Sequence, residues 1–354
     1  MSQKAKILFI YPELRSFVKK DIELLSKHYD VTAMKSHSSN KLVMLLIQIT
    51  HALFYLFRIR KFNTVVIFFA GNHSYFPTLI AKAMGVPSLI IVGGTDAANM
   101  PEINYGNFRK RLLSYFTSAS YRNCDLIVPV HAVLEQFDYS YAPLAHKKQG
   151  VRPFVADLET EFFAVENGYD NTRFYSKKSW LSRNRHFLTI GTDLHLFRTH
   201  NRKGIDIILA VARLLPDFSF TIVGLSADAN LDIPQNVKAI ERIPFNEVID
   251  YCSNHKFYLQ LSMMEGLPNA LCEAMLCECI PIVSNMGSLP EVIDSSGHIL
   301  KHKSVTELQD MLSNLDFNDD SLASEARKRI ESSYPIAHRE HGLKKAVEKL
   351  LPKN

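Results

Sequence analysis

Cysteine is sparse, and what there is does not pair off. Five thiols (Cys124, Cys252, Cys272, Cys277 and Cys279) in 354 residues form an odd, clustered set, which argues against a disulfide framework. Cys277-Glu278-Cys279 lacks a second ligand pair and has no histidines at zinc spacing. These thiols read as buried side chains, and no metal is expected. Charge of one sign is also lacking. A formal net charge of +5 is too small to imply nucleic acid, and the basic residues are not laid out as a stripe interleaved with aromatics. So mild an excess suits phosphate ligands or an anionic membrane surface and does not separate the two. No apolar leader is seen: Met1 to Lys6 (MSQKAK) run directly into a strand, which makes cytoplasmic the expected location. Short internal repeats and low-complexity tracts are missing. So are the glycine-rich dinucleotide fingerprint and the Walker loop, which disfavours a dehydrogenase or a phosphate-loop kinase.

What is present is alternation. Short apolar runs read as buried parallel strands at Lys6 to Tyr11, Tyr29 to Met34, Thr64 to Phe69, Ser88 to Val92 and Asp125 to Val128. Helical patterns separate them at Phe17 to Lys27, Tyr75 to Met84 and Phe108 to Tyr121. A polar stretch, Asn171 to Asn184, then breaks the pattern. A second alternation has strands at His186 to Ile190, Phe218 to Val223, Val237 to Ile243, Phe257 to Leu261 and Ile280 to Val283. Alternating strands and helices imply right-handed crossovers and a doubly wound sheet. The expected fold is therefore α/β, with two Rossmann-like doubly wound domains, 1–172 and 173–335. A last helix within 336–354 can cross back to the first domain.

Ligands of such sheets sit beyond the carboxyl ends of the strands. Two segments there carry chemistry. In the first, Glu265 lies in a loop, Gly266-Leu267 follow, Pro268 suits the first helical position, and Glu273 lies just over one turn into the helix. Both carboxylates are thus near a helix N-terminus, a place that also suits phosphates, and a carboxylate can grip a vicinal diol. Taken alone, the pair reads more simply as a cap and a solvated charge. In the second, Arg198 and Lys203 flank a turn leading to Gly204 and a helix, with Asn201 a candidate cap. Two cations beside a helix N-terminus make a diphosphate site, or else a solvated basic loop.

In order, Arg198 and Lys203, then Glu265 and Glu273 separated by seven residues, then Pro281 and Gly287-Ser288-Leu289-Pro290-Glu291, resemble the signature of the family-4 retaining glycosyltransferases (glycosyl transferases group 1). Asn167-Gly168-Tyr169-Asp170 followed by Phe174 resembles the family's Asn-Gly-Val-Asp segment. The resemblance is strong in the second domain and weaker in the first. It implies the GT-B fold, with the two domains facing each other across a cleft, and a donor of the UDP-sugar or GDP-sugar type without cofactor or metal. It also implies roles: Glu273 on the donor ribose, Glu265 on the transferred sugar, Arg198 and Lys203 on the departing diphosphate, and donor contacts from Gly266, Leu267, Pro268 and Asn269. Two cations and a helix terminus would then do a metal ion's task, and no Asp-x-Asp motif occurs.

The first domain would bind the acceptor. Asp96 stands where the family places a residue near the acceptor hydroxyl; the rival reading is an Asx turn or helix cap. His73 lines the cleft or is structural. Arg15-Ser16-Phe17 replaces the family's paired glycines, leaving the Ser16 N–H as the donor contact. Leu42 to Phe57 (LVMLLIQITHALFYLF) is unusually apolar but falls short of the ~20 residues of a spanning helix. A helix buried against the sheet is the simpler reading, and a membrane-surface helix the other. Membrane contact through 42–57 would place the protein on the inner face of the plasma membrane. The acceptor would be a sugar or lipid-linked sugar of cell-surface polysaccharide or glycolipid synthesis. A nucleotide-sugar epimerase and a non-catalytic binding subunit are the alternatives.

Overall fold

The computed structural model describes residues 4–38, 40–226 and 231–352. The first sheet is built from β1 (Lys6–Tyr11), β2 (Asp30–Lys35), β3 (Thr64–Phe68), β4 (Ser88–Val92) and β5 (Leu126–Pro129). A short antiparallel pair, β6 (Phe137–Asp138) with β7 (Lys148–Gln149), precedes the sixth strand, β8 (Glu161–Phe162). The strand order is 2-1-3-4-5-8, all parallel. The second sheet comprises β9 (Asn184–Ile190), β10 (Ser219–Val223), β11 (Val237–Ile240), β12 (His255–Gln260), β13 (Ile280–Ser284) and β14 (His298–Leu300). It too is all parallel, in the order 11-10-9-12-13-14. These are the two common doubly wound orders, and each reverses direction beside its first strand, β1/β3 and β9/β12. The expected two-domain GT-B architecture is the one found. The inner strands are apolar on both faces because helices cover both: β3, β4 and β5 are buried throughout.

Handedness decides which helix lies where. The chain steps in one direction from β2 to β3, β4 and β5, so right-handed crossovers put α2 (Lys41–Arg58), α3 (Asn72–Met84) and α4 (Arg111–Asn123) on one face. The step from β1 to β2 runs the other way and sends α1 (Ser16–Ser26) to the opposite face. In the second domain, α5 (Phe197–Arg202) and α6 (Ile205–Leu214) follow β9, α7 (Val248–Asn254) precedes β12, and α8 (Asn269–Leu276) follows it. The remaining helices are α9 (Leu289–Ile293), α10 (Val305–Ser313), α11 (Ser321–Ser333) and α12 (Ile336–Glu348). α12 leaves the second domain and packs on α1. Its Arg339 is fully buried there, forked onto Asp21 at 3.0 and 2.5 Å and donating to the Val165 carbonyl.

The two chain crossings lie side by side. The Tyr169 N–H donates to the Tyr334 carbonyl at 2.9 Å, and the Ile336 N–H returns to the Tyr169 carbonyl at 3.0 Å. That accounts for the Asn167–Asp170 segment. Gly168 passes so close to α12 that a Cβ would stand 2.7 Å from the Ile336 Cα, and Asp170 caps the following turn through Thr172.

One sequence expectation fails here. α2 is not buried against the sheet: Leu42, Leu46, Ile49, Leu53, Leu56 and Phe57 are all exposed, whereas Gln48 and His51 are half-buried and Tyr55 is buried. The helix touches α3 along one side only, and no described element covers its outer side. Smaller differences concern ends. Asn201 lies inside α5 and Gly204 stands at the start of α6. Pro268 is the cap of α8 rather than its first residue.

Candidate active site

The chemistry collects at the switch point of the second sheet, where β9 and β12 are neighbours. The segment after β9 forms the six-residue α5, which stops because Gly204 turns left-handed (φ 69°). A Cβ at Gly204 would lie 2.2 Å from the Leu261 carbonyl oxygen. Only glycine lets α5 approach the loop after β12 this closely. The Met263 N–H then donates to the Arg202 carbonyl at 2.7 Å, tying the two segments together. Gly204→Ala is expected to cost at least ~1 kcal/mol from the strained backbone alone, and more from the clash. Thermal unfolding checks this.

The tie brings Lys203 and Glu265 into contact. Lys203 Nζ lies 2.5 Å from Glu265 Oε1, Gln260 Nε2 donates to the same oxygen at 3.1 Å, and an Arg202 guanidinium nitrogen stands 3.6 Å away. Burial pushes the Glu265 carboxyl up, but Lys203 and Arg202 outweigh it and hold the group below its ordinary range. Glu265 is therefore a half-buried, ionised carboxylate and no helix cap. Arg202 is the residue the sequence reading missed; the chosen partner, Arg198, is exposed on the cavity wall with no ion-pair partner among the described residues. Two adjacent cations ahead of Gly204 were the available signal.

The turn 265–268 is held from two sides. The Ser288 hydroxyl donates to the Gly266 carbonyl, which gives the Gly287-Ser288 motif a task. From the first domain, Asn167 Nδ2 donates to the Leu267 carbonyl at 3.4 Å. A Cβ at Gly266 would stand 2.9 Å from the Gly93 carbonyl oxygen. The two domains thus touch at this turn. Among the described residues, the N–H groups of Gly266, Leu267 and Asn269 donate to no protein acceptor, and Asn269 Oδ1 is buried without a partner. Unsatisfied donors at the mouth of an eight-residue helix suit an anion.

Glu273 lies one turn into α8, with Lys20 and Arg173 as its charged neighbours. Burial drives its carboxyl up to about 7, against the pull of both cations. The folded protein holds this proton above the unfolded value of 4.5, so the stability it contributes is lost as pH rises through about 7. A diol that donates to the carboxylate favours the ionised form. A ligand hydroxyl that donates to Glu273 should therefore bind more strongly from pH 6 to 8 and release a proton. Calorimetry in buffers of differing ionisation enthalpy measures that release, and Glu273→Gln should abolish it.

Across the cleft, a cavity of about 500 Å³ is walled by Arg15, Phe17, Met44, His73, Asp96, Tyr105 and Leu113 of the first domain. Thr192, Asp193, Arg198, Thr199 and Arg202 line it from the second domain, and Glu13 is among its first-domain residues; Lys203, Glu265 and Glu273 do not line it. Arg202 also spans the gap, its guanidinium 5.0 Å from the Tyr105 ring centroid. Asp96 requires a correction. Its carboxylate is fully buried and already accepts from four donors: the N–H groups of Ala70, Gly93 and Gly94 and the Tyr121 hydroxyl, at 2.9 to 3.2 Å. It pins the ends of β3 and β4 together and has no oxygen left for a substrate. His73 donates from Nε2–H to the Phe68 carbonyl at 2.9 Å; burial lowers its pKa to about 4, so it is neutral and its Nδ1 is an acceptor. Ser16 opens α1 and is exposed, between the cavity-lining Arg15 and Phe17.

Residues 194–331 match the family model of the glycosyl transferases group 1. No curated protein matches the chain. Among solved structures, sucrose-phosphate synthase from Thermosynechococcus elongatus is similar over 98% of this chain and 99% of its own, with a TM-score of 0.71 and 11% identity. HepE of Anabaena, in complex with UDP and glucose, is similar over 97% of this chain and 99% of its own (TM-score 0.69, 12% identity). A glycosyltransferase from Rickettsia africae is similar over 99% and 100% (TM-score 0.67, 13% identity). These likenesses establish the two-domain GT-B fold. The group 1 match covers most of the second domain and none of the first.

Proposed function

We propose that the chain is a glycosyltransferase that retains anomeric configuration, needs no metal and takes a UDP-sugar or GDP-sugar as donor. One observation carries the reading: Lys203 and Arg202 converge with Glu265 beside the unsatisfied N–H groups at the head of α8. A diphosphate seated there meets two fixed cations and a helix terminus, the preorganised charge that a departing nucleotide diphosphate needs. In this reading Glu273 holds the ribose hydroxyls and Glu265 orients the transferred sugar. Gly266, Leu267, Pro268 and Asn269 form the turn against the diphosphate, Arg198 meets it from the cavity wall, and the Ser16 N–H is the contact offered by the first domain.

The bond from the anomeric carbon to the diphosphate oxygen breaks first. The acceptor oxygen then bonds to that carbon from the same face, and its proton passes to the leaving phosphate. The acceptor is a sugar or lipid-linked sugar of cell-surface polysaccharide or glycolipid synthesis. Residues 42–57 touch the inner face of the plasma membrane from the cytoplasm. Proton NMR of the first product tests retention: an anomeric coupling matching the donor supports it, and an inverted coupling contradicts it. Epimerised sugar formed from donor alone would favour the epimerase instead.

A further inference from the structure

The outer side of the first domain presents α2, α3 and α4 in one layer. Three features set that layer apart. The first is inverted patterning on α2. The polar Gln48 and His51 are half-buried, while Leu42 (75% exposed), Leu46, Ile49, Leu53 and Phe57 (79% exposed) face out. A helix serving only its own core would show the reverse. The apolar surface continues onto α3 and α4 through Leu79, Leu112 and Tyr115, all exposed.

The second feature is charge. From Val31 to Thr95 there is no Asp or Glu, and none from Ile103 to Cys124. Arg58, Arg60, Lys61, Lys82 and Arg122 are exposed at the far ends of the three helices, and Lys110 and Arg111 at the cleft end of α4. Basic residues therefore bracket an apolar face that carries no acid.

The third is position. Met44, His73 and Leu113, near the N-termini of α2, α3 and α4, all line the cavity at the cleft. On the other lip, Leu196 and Phe197 are exposed beside Arg198. The apolar layer thus reaches the cleft cavity that Arg198 and Arg202 also line.

We infer that α2, α3 and α4 together form a docking platform for an anionic phospholipid bilayer, and that it holds the cleft mouth at the lipid surface so that the acceptor enters from the membrane plane. This goes beyond contact by residues 42–57 alone, and its lipid-borne acceptor rests on the transferase reading above. An apolar face sinking into the acyl boundary gains from burial, and flanking lysines and arginines gain from anionic headgroups. Against the sequence expectation, Leu42–Lys61 is long and apolar enough to cross a bilayer, but its connections favour a place on the surface. α2 joins β2 to β3, which flank β1 in a single sheet, and its Tyr55 remains in the core. Leaving the domain to cross a bilayer would pull Tyr55 out of that core.

Vesicle flotation tests the platform without any substrate. The full chain is mixed with vesicles of phosphatidylcholine alone or of phosphatidylcholine with phosphatidylglycerol. The expected result is co-flotation with the anionic vesicles at least about tenfold above neutral ones, weakened by salt. Leu46→Glu with Leu53→Glu should abolish it. Leu112→Glu with Tyr115→Ser, on α4, should reduce it at least severalfold. These side chains are exposed and outside the pocket, so thermal unfolding and nucleotide binding should be unchanged. Equal flotation with both vesicles, none with either, or full retention in the α4 variant would overturn the platform. So would a self-associating chain that the α2 variant renders monomeric. Loss of nucleotide binding with intact flotation would instead sink the transferase reading and leave the platform standing.

Discussion

Lys203→Ala should lower kcat by roughly 10²–10³-fold while donor KM changes only a few-fold. Removing one preorganised donor to a developing charge costs about that much, and an interaction realised mainly in the transition state shows in turnover rather than in binding. Lys203 is suited to this because its ammonium is a compact charge held in place by Glu265 at 2.5 Å and by the turn that Gly204 closes. The variant leaves Glu265 with Arg202, Gln260 and Ser262 but without its nearest cation, so its carboxylate becomes easier to protonate. Part of the loss is therefore shared. Lys203→Ala combined with Glu265→Gln should cost less than the two single changes added together. Steady-state kinetics with varied donor decides the matter. An unchanged kcat with weakened donor binding would reduce Lys203 to a binding group.

Arg339→Ala should destabilise the first domain by about 3–5 kcal/mol, the usual cost of stranding one partner of a buried ion pair. Asp21 is 1% exposed and would keep a charge with no cation in contact. The Val165 carbonyl would lose its donor as well. Asp21→Asn with Arg339→Met, which removes both charges, should lose markedly less. Chemical denaturation followed by calorimetry separates the two cases. Because α12 returns from the second domain, loosening it should also weaken the paired crossings at Tyr169 and Tyr334 and reduce activity at temperatures where the chain remains folded. A variant as stable as the parent would show that α12 is not held by this pair.

The strands were legible because the inner strands of parallel sheets are apolar on both faces, and runs such as Thr64–Phe68 and Ser88–Val92 allow little else. The Lys203, Glu265 and Gly287-Ser288 segments were legible because they lie in three loops at the carboxyl ends of strands, in fixed order. What failed was nonlocal. The four donors to Asp96 come from residues 70, 93, 94 and 121, and no window of sequence joins them. The choice between Arg198 and Arg202 depends on the phase of a helix six residues long, where a shift of one residue turns a side chain by about 100°. The leucines of α2 announce a helix, but hydrophobicity does not say whether protein or lipid covers it.

Titration calorimetry of UDP and GDP against the full chain, with EDTA present throughout, is the decisive experiment. One of these diphosphates should bind one-to-one without metal, and Glu273→Ala should abolish or strongly weaken that binding. Absence of binding by either, or binding that appears only when a divalent cation is restored, would contradict a donor site built from Lys203, Arg202, Glu265 and the head of α8.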